Sequence, residues 1–433
     1  MPSPNSSAGS TPASPPAHFW RYVRIYCGLF LLVWGLVAVG NAVVDPYLVF
    51  DSPDIQGVNA IRTEFVTHLR LGKAHAVRRQ QPRNLILGSS SAEYGFDPEH
   101  PAFGAEPTYN LGLSGVNMYE LLRFFQHAHA IRPLRKVVVE VQLYMFNARR
   151  PPRPDFDEER LAAGPEGDRR IVASPRDVMQ ALFSFQAVAS SIKTVRSQGK
   201  RPHYRYLANG QRHPTWNAPN IQRKGGHRKV FRARERSFLE RRALALGYEF
   251  SFQDSATGRS TFDELAQLLS QAHASKMELY LLVSPSHARE WEAMREAGLW
   301  EHVERWKREL VRVNTEVADR AGKQAFPLWD FGVYHAISCE AVPVEGDAKS
   351  LMRWYWDDAH YRKELGDIVL DRITGRRSSE PSAHAFGAKI GEADLEGHLA
   401  RVRKAAAAYR KRHPRDVGEL RRTMHRLQRQ NSR

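Results

Sequence analysis

Two short segments, far apart in the chain, contain the side chains of serine-dependent acyl transfer. The apolar run 84–87 ends at Gly88 and is followed by three serines, among them Ser90. Near the other end, Asp357 and His360 lie three residues apart, so a single turn can present both side chains to one point. A serine nucleophile, a histidine base and an orienting carboxylate are the parts of this chemistry. Taken singly, the serine turn also suits a structural loop, and the Asp-His pair suits a solvated surface turn.

A third segment, residues 109–117, has two glycines and precedes a run of apolar residues at helical spacing. Asn117 followed by Glu120 predicts a capping box at the start of that helix. Glycines at a helix entrance expose backbone N–H groups, and such groups stabilise a developing oxyanion. The alternative is a tight loop in which the glycines only supply unusual backbone angles.

The order of these three segments resembles that of the SGNH/GDSL hydrolase superfamily, and within it the membrane-anchored proteins that modify cell-envelope polymers. The resemblance implies that Ser90 is the nucleophile and that its own N–H group helps to form the oxyanion hole. It also implies that Gly115 is a second oxyanion donor and that Asp357 and His360 complete the triad. The trailing glycine of the first motif corresponds to Gly95.

The sequence departs from the superfamily pattern at two places. Ser89 replaces the usual aspartate before the nucleophile, a change that resembles the envelope-acyltransferase branch. In the strand-like run 137–143, Glu140 stands at the glycine of the third motif and Gln142 at its asparagine. A glutamine side chain can still donate an N–H, so Gln142 is the expected third oxyanion donor. Loss of one such donor costs roughly 10²–10³ in rate.

The remaining pattern predicts an α/β domain with a parallel sheet and helices on both faces, the flavodoxin-like arrangement that the resemblance implies. We expect helices over 264–277 and 291–318 and strands over 279–283 and 326–329. Alternation of strands with helices places the three motifs at the carboxyl edge of the sheet.

An insertion over about 149–255 interrupts this alternation. It opens with a proline-rich segment, and Ser174-Pro175 predicts one helix start. Its stretch 201–242 is basic with interleaved aromatics, namely Tyr204, Tyr206, Trp216 and Phe231. Two interpretations stay open: a cap that faces a glycan, or a loosely ordered insertion with solvated charge.

Residues 25–44 contain no charge and are long enough to cross a bilayer once. Arg21 and Arg24 precede this span, which predicts a cytoplasmic N-terminus and an exported domain. We therefore expect a disordered stub at 1–19, an anchor at 20–45, the α/β domain at 46–380 and a tail at 381–433. A cleavable signal peptide with a poor site at 38–40 is the competing interpretation.

The formal charge of +17 is concentrated at the C-terminus, where residues 401–433 contain twelve Lys or Arg and two acidic residues. This tail, expected to be partly helical, presents either a solvated helix face or a surface attracted to an anionic envelope. Export argues against nucleic acid. Cys27 lies within the expected membrane span and Cys339 is alone in the exported part, so the sequence predicts no disulfide there. The sequence contains no metal-site spacing and no phosphate-binding glycine motif, so we expect no cofactor.

Together, these features predict a single-pass protein of the bacterial inner membrane whose periplasmic domain is a serine esterase or O-acyltransferase. Its substrates would be acyl esters of an envelope or secreted polysaccharide, and its partners an anionic or acylated glycan and, for transfer, a polytopic membrane O-acyltransferase. The resemblance to alginate-acetylating and teichoic-acid D-alanylating proteins favours transfer. The alternative is a catalytically silent scaffold that binds glycan or recruits the acyltransferase, motivated by Glu140 and Gln142.

Overall fold

The computed structural model describes residues 17–164, 169–170, 174–200, 205–242 and 250–431. Most of the expected N-terminal stub and the aromatic residue Tyr204 lie outside these ranges. The helices are α1 (Ala17–Val44), α2 (Leu69–Gln80), α3 (Ser90–Gly95), α4 (Met118–Ile131), α5 (Pro175–Phe183), α6 (Phe185–Ser197), α7 (Ala218–Arg223), α8 (His227–Arg242), α9 (Thr261–Ala274), α10 (Ala288–Glu296), α11 (Trp300–Arg320), α12 (Lys363–Ile373), α13 (Leu395–Arg412) and α14 (Pro414–Asn431).

A six-stranded sheet forms the centre of the domain, in the order β2-β1-β3-β4-β5-β6. Its strands are β1 (Asn84–Gly88), β2 (Thr108–Gly112), β3 (Lys136–Val141), β4 (Glu278–Val283), β5 (Leu328–Asp330) and β6 (Ala388–Lys389). The first five strands are parallel, and β6 pairs antiparallel with β5. Because β1 and β2 are in register from Asn84↔Thr108 to Gly88↔Gly112, the loops that follow them emerge side by side.

Alternate residues along the strands enter two different cores. Leu85 and Leu87 of β1 pack in the larger core with α4, α9 and α11, whereas Ile86 packs in the second core with α12. The same alternation in β3 places Val137 and Val139 in the first core and Val138 in the second. Both faces of the sheet are therefore covered, as expected of parallel strands, and the predicted α/β class is confirmed.

One predicted helix is divided in two. The expected helix over 291–318 appears as α10 and α11, separated near Gly298, whose φ of 75° interrupts the helical backbone. Apolar periodicity continues across this break because both helices bury residues in the same core, among them Trp291 and Trp306. The strands β3, β4 and β5 lie within two residues of the predicted runs.

The insertion packs as helices against two different parts of the molecule. Helices α5 and α6 lie against α1, whereas α7 and α8 lie near the carboxyl edge of the sheet, with Phe231 in the second core. The predicted helix start at Ser174 is confirmed, since its hydroxyl accepts the N–H of Asp177.

The predicted domain boundary at residue 380 requires correction. Strand β6 completes the sheet beyond it, and Leu395 and Leu399 of α13 belong to the main core. The last helix, α14, is held by its two acidic residues: Asp416 and Glu419 contact Arg289 of α10 at 2.7 and 3.1 Å. Residues 381–431 therefore pack on the α/β domain, because apolar burial and ion pairs outweigh repulsion among the tail's exposed cations.

The N-terminal helix α1 has a mean hydropathy of 2.2 over its most apolar window, and most of its side chains are exposed. The apolar part of this helix is long enough to serve as a membrane anchor or as a signal sequence.

Candidate active site

The serine turn joins the centre of the sheet to a short helix. Strand β1 ends at Gly88, Ser89 caps α3 by accepting the N–H of Ser91 at 3.0 Å, and Ser90 is the first residue of α3. The buried carboxylate of Glu140 accepts the N–H of Ser89 at 2.9 Å. These bonds direct Ser90 out of the carboxyl edge of the sheet, where its side chain is partly exposed.

The Asp-His turn lies directly over Ser90. Nε2 of His360 is 2.8 Å from Oγ of Ser90, and Nδ1 of His360 is 2.8 Å from Oδ2 of Asp357. Asp357 also accepts the backbone N–H groups of Ala359 and His360, each at 3.0 Å, so the carboxylate fixes the turn as well as the ring. The structure therefore brings together the three predicted triad residues in hydrogen-bonded order.

The surroundings favour a neutral imidazole and an ionised carboxylate. Burial is the largest cause that lowers the pKa of His360, and it outweighs the opposing influence of Asp357. Burial would raise the pKa of Asp357, but the contacts with His360 and Arg234 hold it well below its usual range. A neutral imidazole whose Nδ1–H points at a carboxylate leaves Nε2 free to take the proton of Ser90.

A cation from the insertion stands beside the triad carboxylate. Nε of Arg234, in α8, lies 3.1 Å from Asp357 and 2.9 Å from the neighbouring Asp358. Burial raises the pKa of Asp358 well above its usual value, and the charge of Asp357 adds to this effect. The Arg234 side chain is 36% exposed. Its guanidinium lowers the pKa of His360 in addition to the effect of burial.

The second motif loop follows β2, beside the serine turn. Gly115 adopts a φ of 72°, and its carbonyl accepts a bond from Arg150. Among the described residues, none accepts the N–H of Ser90 or that of Gly115. Both donors are thus available to an oxyanion, which agrees with their predicted role.

The position of Gln142 does not support its predicted role as the third oxyanion donor. Its amide nitrogen lies 2.9 Å from Ser91 Oγ, 2.9 Å from Glu140 Oε1 and 3.0 Å from Ser284 Oγ. Two N–H hydrogens facing three internal acceptors leave none for a substrate. The cause is Glu140, a fully buried acceptor beneath the serine turn.

A buried charged network supports the turn from below, and the sequence patterns did not reveal it. Glu93, one turn after Ser90 in α3, accepts bonds from Arg212 and Ser114 at 2.9 Å each and lies 3.5 Å from Lys73. Lys73 also donates to carbonyls of the second motif, and Arg212 donates to the Ser114 hydroxyl at 2.7 Å. The network thereby connects α2, α3, the second motif loop and the insertion. In the sequence, the position of Glu93 three residues after Ser90, at helical spacing, was the one indication that Glu93 lies near the site.

Close packing fixes the histidine turn against α3. A Cβ on Gly95 would lie 1.7 Å from the ring of Tyr361, and one on Gly366 would lie 1.8 Å from the carbonyl of Gly95. The Tyr94 ring packs on the His360 ring, with centroids 4.8 Å apart. Gly95 is therefore required for the close packing of Tyr361, the residue after His360, against α3.

A pocket of about 360 Å³ opens beside the Asp-His turn. Its volume lies within the usual range of ligand sites. It is lined by His360 and Asp357 on one side and by residues of the insertion on the other, including Arg205, Trp216, Arg223 and Lys224. The insertion therefore contributes aromatic and basic side chains to the candidate site. In the described part of the chain, no group of three or more His, Cys, Asp or Glu side chains is arranged to hold a metal ion.

Comparison with protein-family models and with curated proteins finds no match for this chain.

Proposed function

We propose that this protein is a membrane-anchored serine esterase or O-acyltransferase of the SGNH type, with Ser90, His360 and Asp357 as its catalytic triad. The observation that carries the proposal is the continuous contact from Ser90 through His360 to Asp357, with distances of 2.8 Å on both sides of the imidazole. The strand order β2-β1-β3-β4-β5 adds support, because it is the flavodoxin-like order that the resemblance implies.

In the proposed reaction, Ser90 Oγ attacks the acyl carbonyl and transfers its proton to Nε2 of His360. The N–H groups of Ser90 and Gly115 stabilise the oxyanion. The intermediate collapses by breaking the ester C–O bond, and the leaving oxygen takes the proton from His360. An acceptor hydroxyl then gives its proton to His360 and attacks the acyl carbon, and Ser90 regains its proton as the acyl-enzyme breaks.

The acceptor decides the reaction class: water makes the protein an esterase, and a sugar hydroxyl makes it an acyltransferase. The pocket beside His360 supports a carbohydrate, because aromatic faces stack on sugars and because Arg205, Arg223 and Lys224 attract anionic groups. The proposal therefore includes an acylated or anionic glycan of the envelope as substrate. From the resemblance it also takes the periplasm as the location and a polytopic membrane O-acyltransferase as the acyl-supplying partner.

A second candidate function is a scaffold that binds glycan without catalysis. The observation in its favour is the engagement of Gln142 by Ser91, Glu140 and Ser284, which leaves the oxyanion hole with two backbone donors.

Incubation of the detergent-solubilised full chain with p-nitrophenyl acetate tests both candidates. We expect p-nitrophenol release and an acetyl mass increase that disappear in Ser90→Ala and persist in Ser270→Ala, at an exposed serine of α9. Addition of a polysaccharide acceptor then separates transfer from hydrolysis. Absence of both signals in a protein with intact thermal unfolding refutes the enzyme and supports the scaffold.

A further inference from the structure

The helices α5 and α6 form a hairpin whose composition differs from that of the rest of the insertion. Residues 178–192 contain no charge, whereas Arg176 and Asp177 precede this stretch and Lys193 and Arg196 follow it. Only Ser184 separates the two helices. An uncharged stretch of this length is too short to span a bilayer, but it is long enough for a re-entrant segment.

The tip of this hairpin contacts α1 in the middle of its uncharged segment. The rings of Phe183 and Phe185 lie 6.0 and 6.4 Å from that of Trp34. Nearer the end of α1, Asn41 donates to the carbonyl of Leu182 at 2.8 Å and accepts from the hydroxyl of Ser191 at 2.7 Å. The hairpin is thus attached to α1 by both apolar and polar contacts.

The level of Trp34 determines how deep the hairpin must lie. Trp34 is ten residues before the end of α1 at Val44, about 15 Å along the axis. If the hairpin stood in water, the uncharged part of α1 left to cross the bilayer would be residues 25–33. Nine residues span about 13 Å, far less than the hydrocarbon thickness of about 30 Å. A membrane-crossing α1 therefore carries the hairpin tip into the hydrocarbon.

The exposed apolar side chains of the hairpin are consistent with a position in the hydrocarbon. Phe185, Met179 and Ile192 are 85%, 55% and 45% exposed, and they continue the apolar surface of α1. Farther from the tip, the exposed cations Lys193 and Arg196 reach the level expected for lipid headgroups. Beside the turn, Gln186 lies 3.2 Å from His68 of the domain, so the polar residues of the tip face the domain. An apolar outer surface with cations at its base is the pattern of a segment partly immersed in a leaflet.

The turn of the hairpin also leaves few polar backbone groups unpaired. The N–H of Ser184 donates to the carbonyl of Gln180, and the Ser184 carbonyl accepts from Val188. The Ser184 hydroxyl accepts the N–H of Ala187 at 3.0 Å. Internal pairing of this kind is what backbone in lipid requires.

We infer that the α5–α6 hairpin is a re-entrant element that enters the leaflet on the side of the α/β domain, with lipid acyl chains covering Met179, Phe185 and Ile192. The inference rests on the membrane anchor that is part of the proposed function. Its consequence is a fixed distance between the domain and the bilayer. On its other side, the hairpin lines a cleft of about 760 Å³ with Gln180, Ser184 and Gln186, opposite the charged side chains Arg153, Asp155 and Asp157. The side of the hairpin that faces the domain is therefore polar.

Site-specific fluorescence in vesicles of the full-length protein tests this inference. Cys27 and Cys339 are first replaced by alanine, and single cysteines at Phe185, Arg196 or Val344 are labelled with nitrobenzoxadiazole. Val344 is the matched control, since it is 73% exposed on the α/β domain. Aqueous iodide and lipids with a doxyl group deep in the acyl chain are the two quenchers, and flotation of the vesicles reports the anchor separately.

We expect the label at position 185 to be quenched by the doxyl lipid and shielded from iodide, with the reverse at position 344. Position 196 should show weaker doxyl quenching than position 185. Iodide quenching at 185 equal to that at 344, in protein that floats with the vesicles, overturns the hairpin while leaving the anchor intact. Shielding of position 185 from both quenchers also overturns it, because the residue is then covered by protein. Failure to float refutes the anchor and the hairpin together.

Discussion

The buried carboxylate of Glu93 offers a sharp test of the network beneath the serine turn. Glu93→Gln preserves the shape of the side chain but removes the negative charge that faces Arg212 at 2.9 Å and Lys73 at 3.5 Å. Because both cations are almost completely buried, they lose their counter-charge without gaining water. Breaking a buried pair in this way costs about 3–5 kcal/mol, a large part of the usual total stability of about 5–15 kcal/mol.

The expected result is a fall of about 4–6 °C in the apparent unfolding temperature, because the unfolding entropy of a domain of this size is about 0.8 kcal/mol per degree. Circular dichroism of the detergent-solubilised chain at a fixed scan rate measures it. Glu106→Gln is the matched control, because Glu106 pairs with an exposed arginine at the surface and should cost less than about 1 kcal/mol. Lys73→Met in the Glu93→Gln background should recover part of the loss by removing one unpaired cation.

The loss of stability in Glu93→Gln should depend on pH in a defined direction. Burial lowers the pKa of Lys73 to about 8, below that of the unfolded chain, so folding becomes easier as rising pH removes its proton. Loss of Glu93 lowers this pKa further, and Lys73 is then neutral in the folded variant at lower pH than in the wild type. The deficit should therefore shrink between pH 7 and pH 9. An unfolding temperature of Glu93→Gln within about 1 °C of the wild type at pH 7 refutes the reasoning.

The remaining predictions concern the triad and its packing. Asp357→Asn removes the acceptor that orients His360 and should reduce p-nitrophenyl acetate turnover by about 10⁴, measured by p-nitrophenol release. Because burial lowers the pKa of His360 and the neutral ring is the base, turnover should fall only as pH drops below the ordinary histidine range; Arg234→Gln removes a nearby positive charge and should shift this fall to higher pH. Gly95→Ala places a Cβ in the Tyr361 ring and should cost about 1–3 kcal/mol with loss of turnover, measured by thermal unfolding and the same assay.

Each of these predictions has a control or a contradicting outcome. Full turnover in Asp357→Asn would show that the Asp-His contact is structural only. An unchanged pH profile in Arg234→Gln would remove the assigned influence of the guanidinium on the imidazole. Gly397→Ala, at a helical glycine where the nearest neighbouring atom is 3.5 Å away, should leave stability unchanged or slightly higher.

Local patterns were sufficient to predict much of the architecture. Short apolar runs predicted β1, β3 and β4, with Gly88 at the end of β1, and the capping box at Asn117 predicted the start of α4. The apolar spacing in the tail predicted a packed helix, and Val402, Ala406 and Tyr409 are indeed buried in α13. These predictions succeeded because each feature depends only on neighbouring residues and on the exclusion of water from apolar side chains.

Other features depend on which distant segments meet. The tertiary structure assigned residues 381–431 to the main domain, engaged the amide of Gln142 with Ser91 and Ser284, and placed Glu93 between Arg212 and Lys73. None of these contacts has a local signature, since the energy of a buried ion pair or hydrogen bond depends on partners 20 to more than 100 residues away. The amino-acid sequence by itself thus determined the sheet, the apolar helix and the residues Ser90, Asp357 and His360. Only the packed chain decided that these three side chains meet, because their separation of about 270 residues is closed by sheet register and core burial, which no local pattern records.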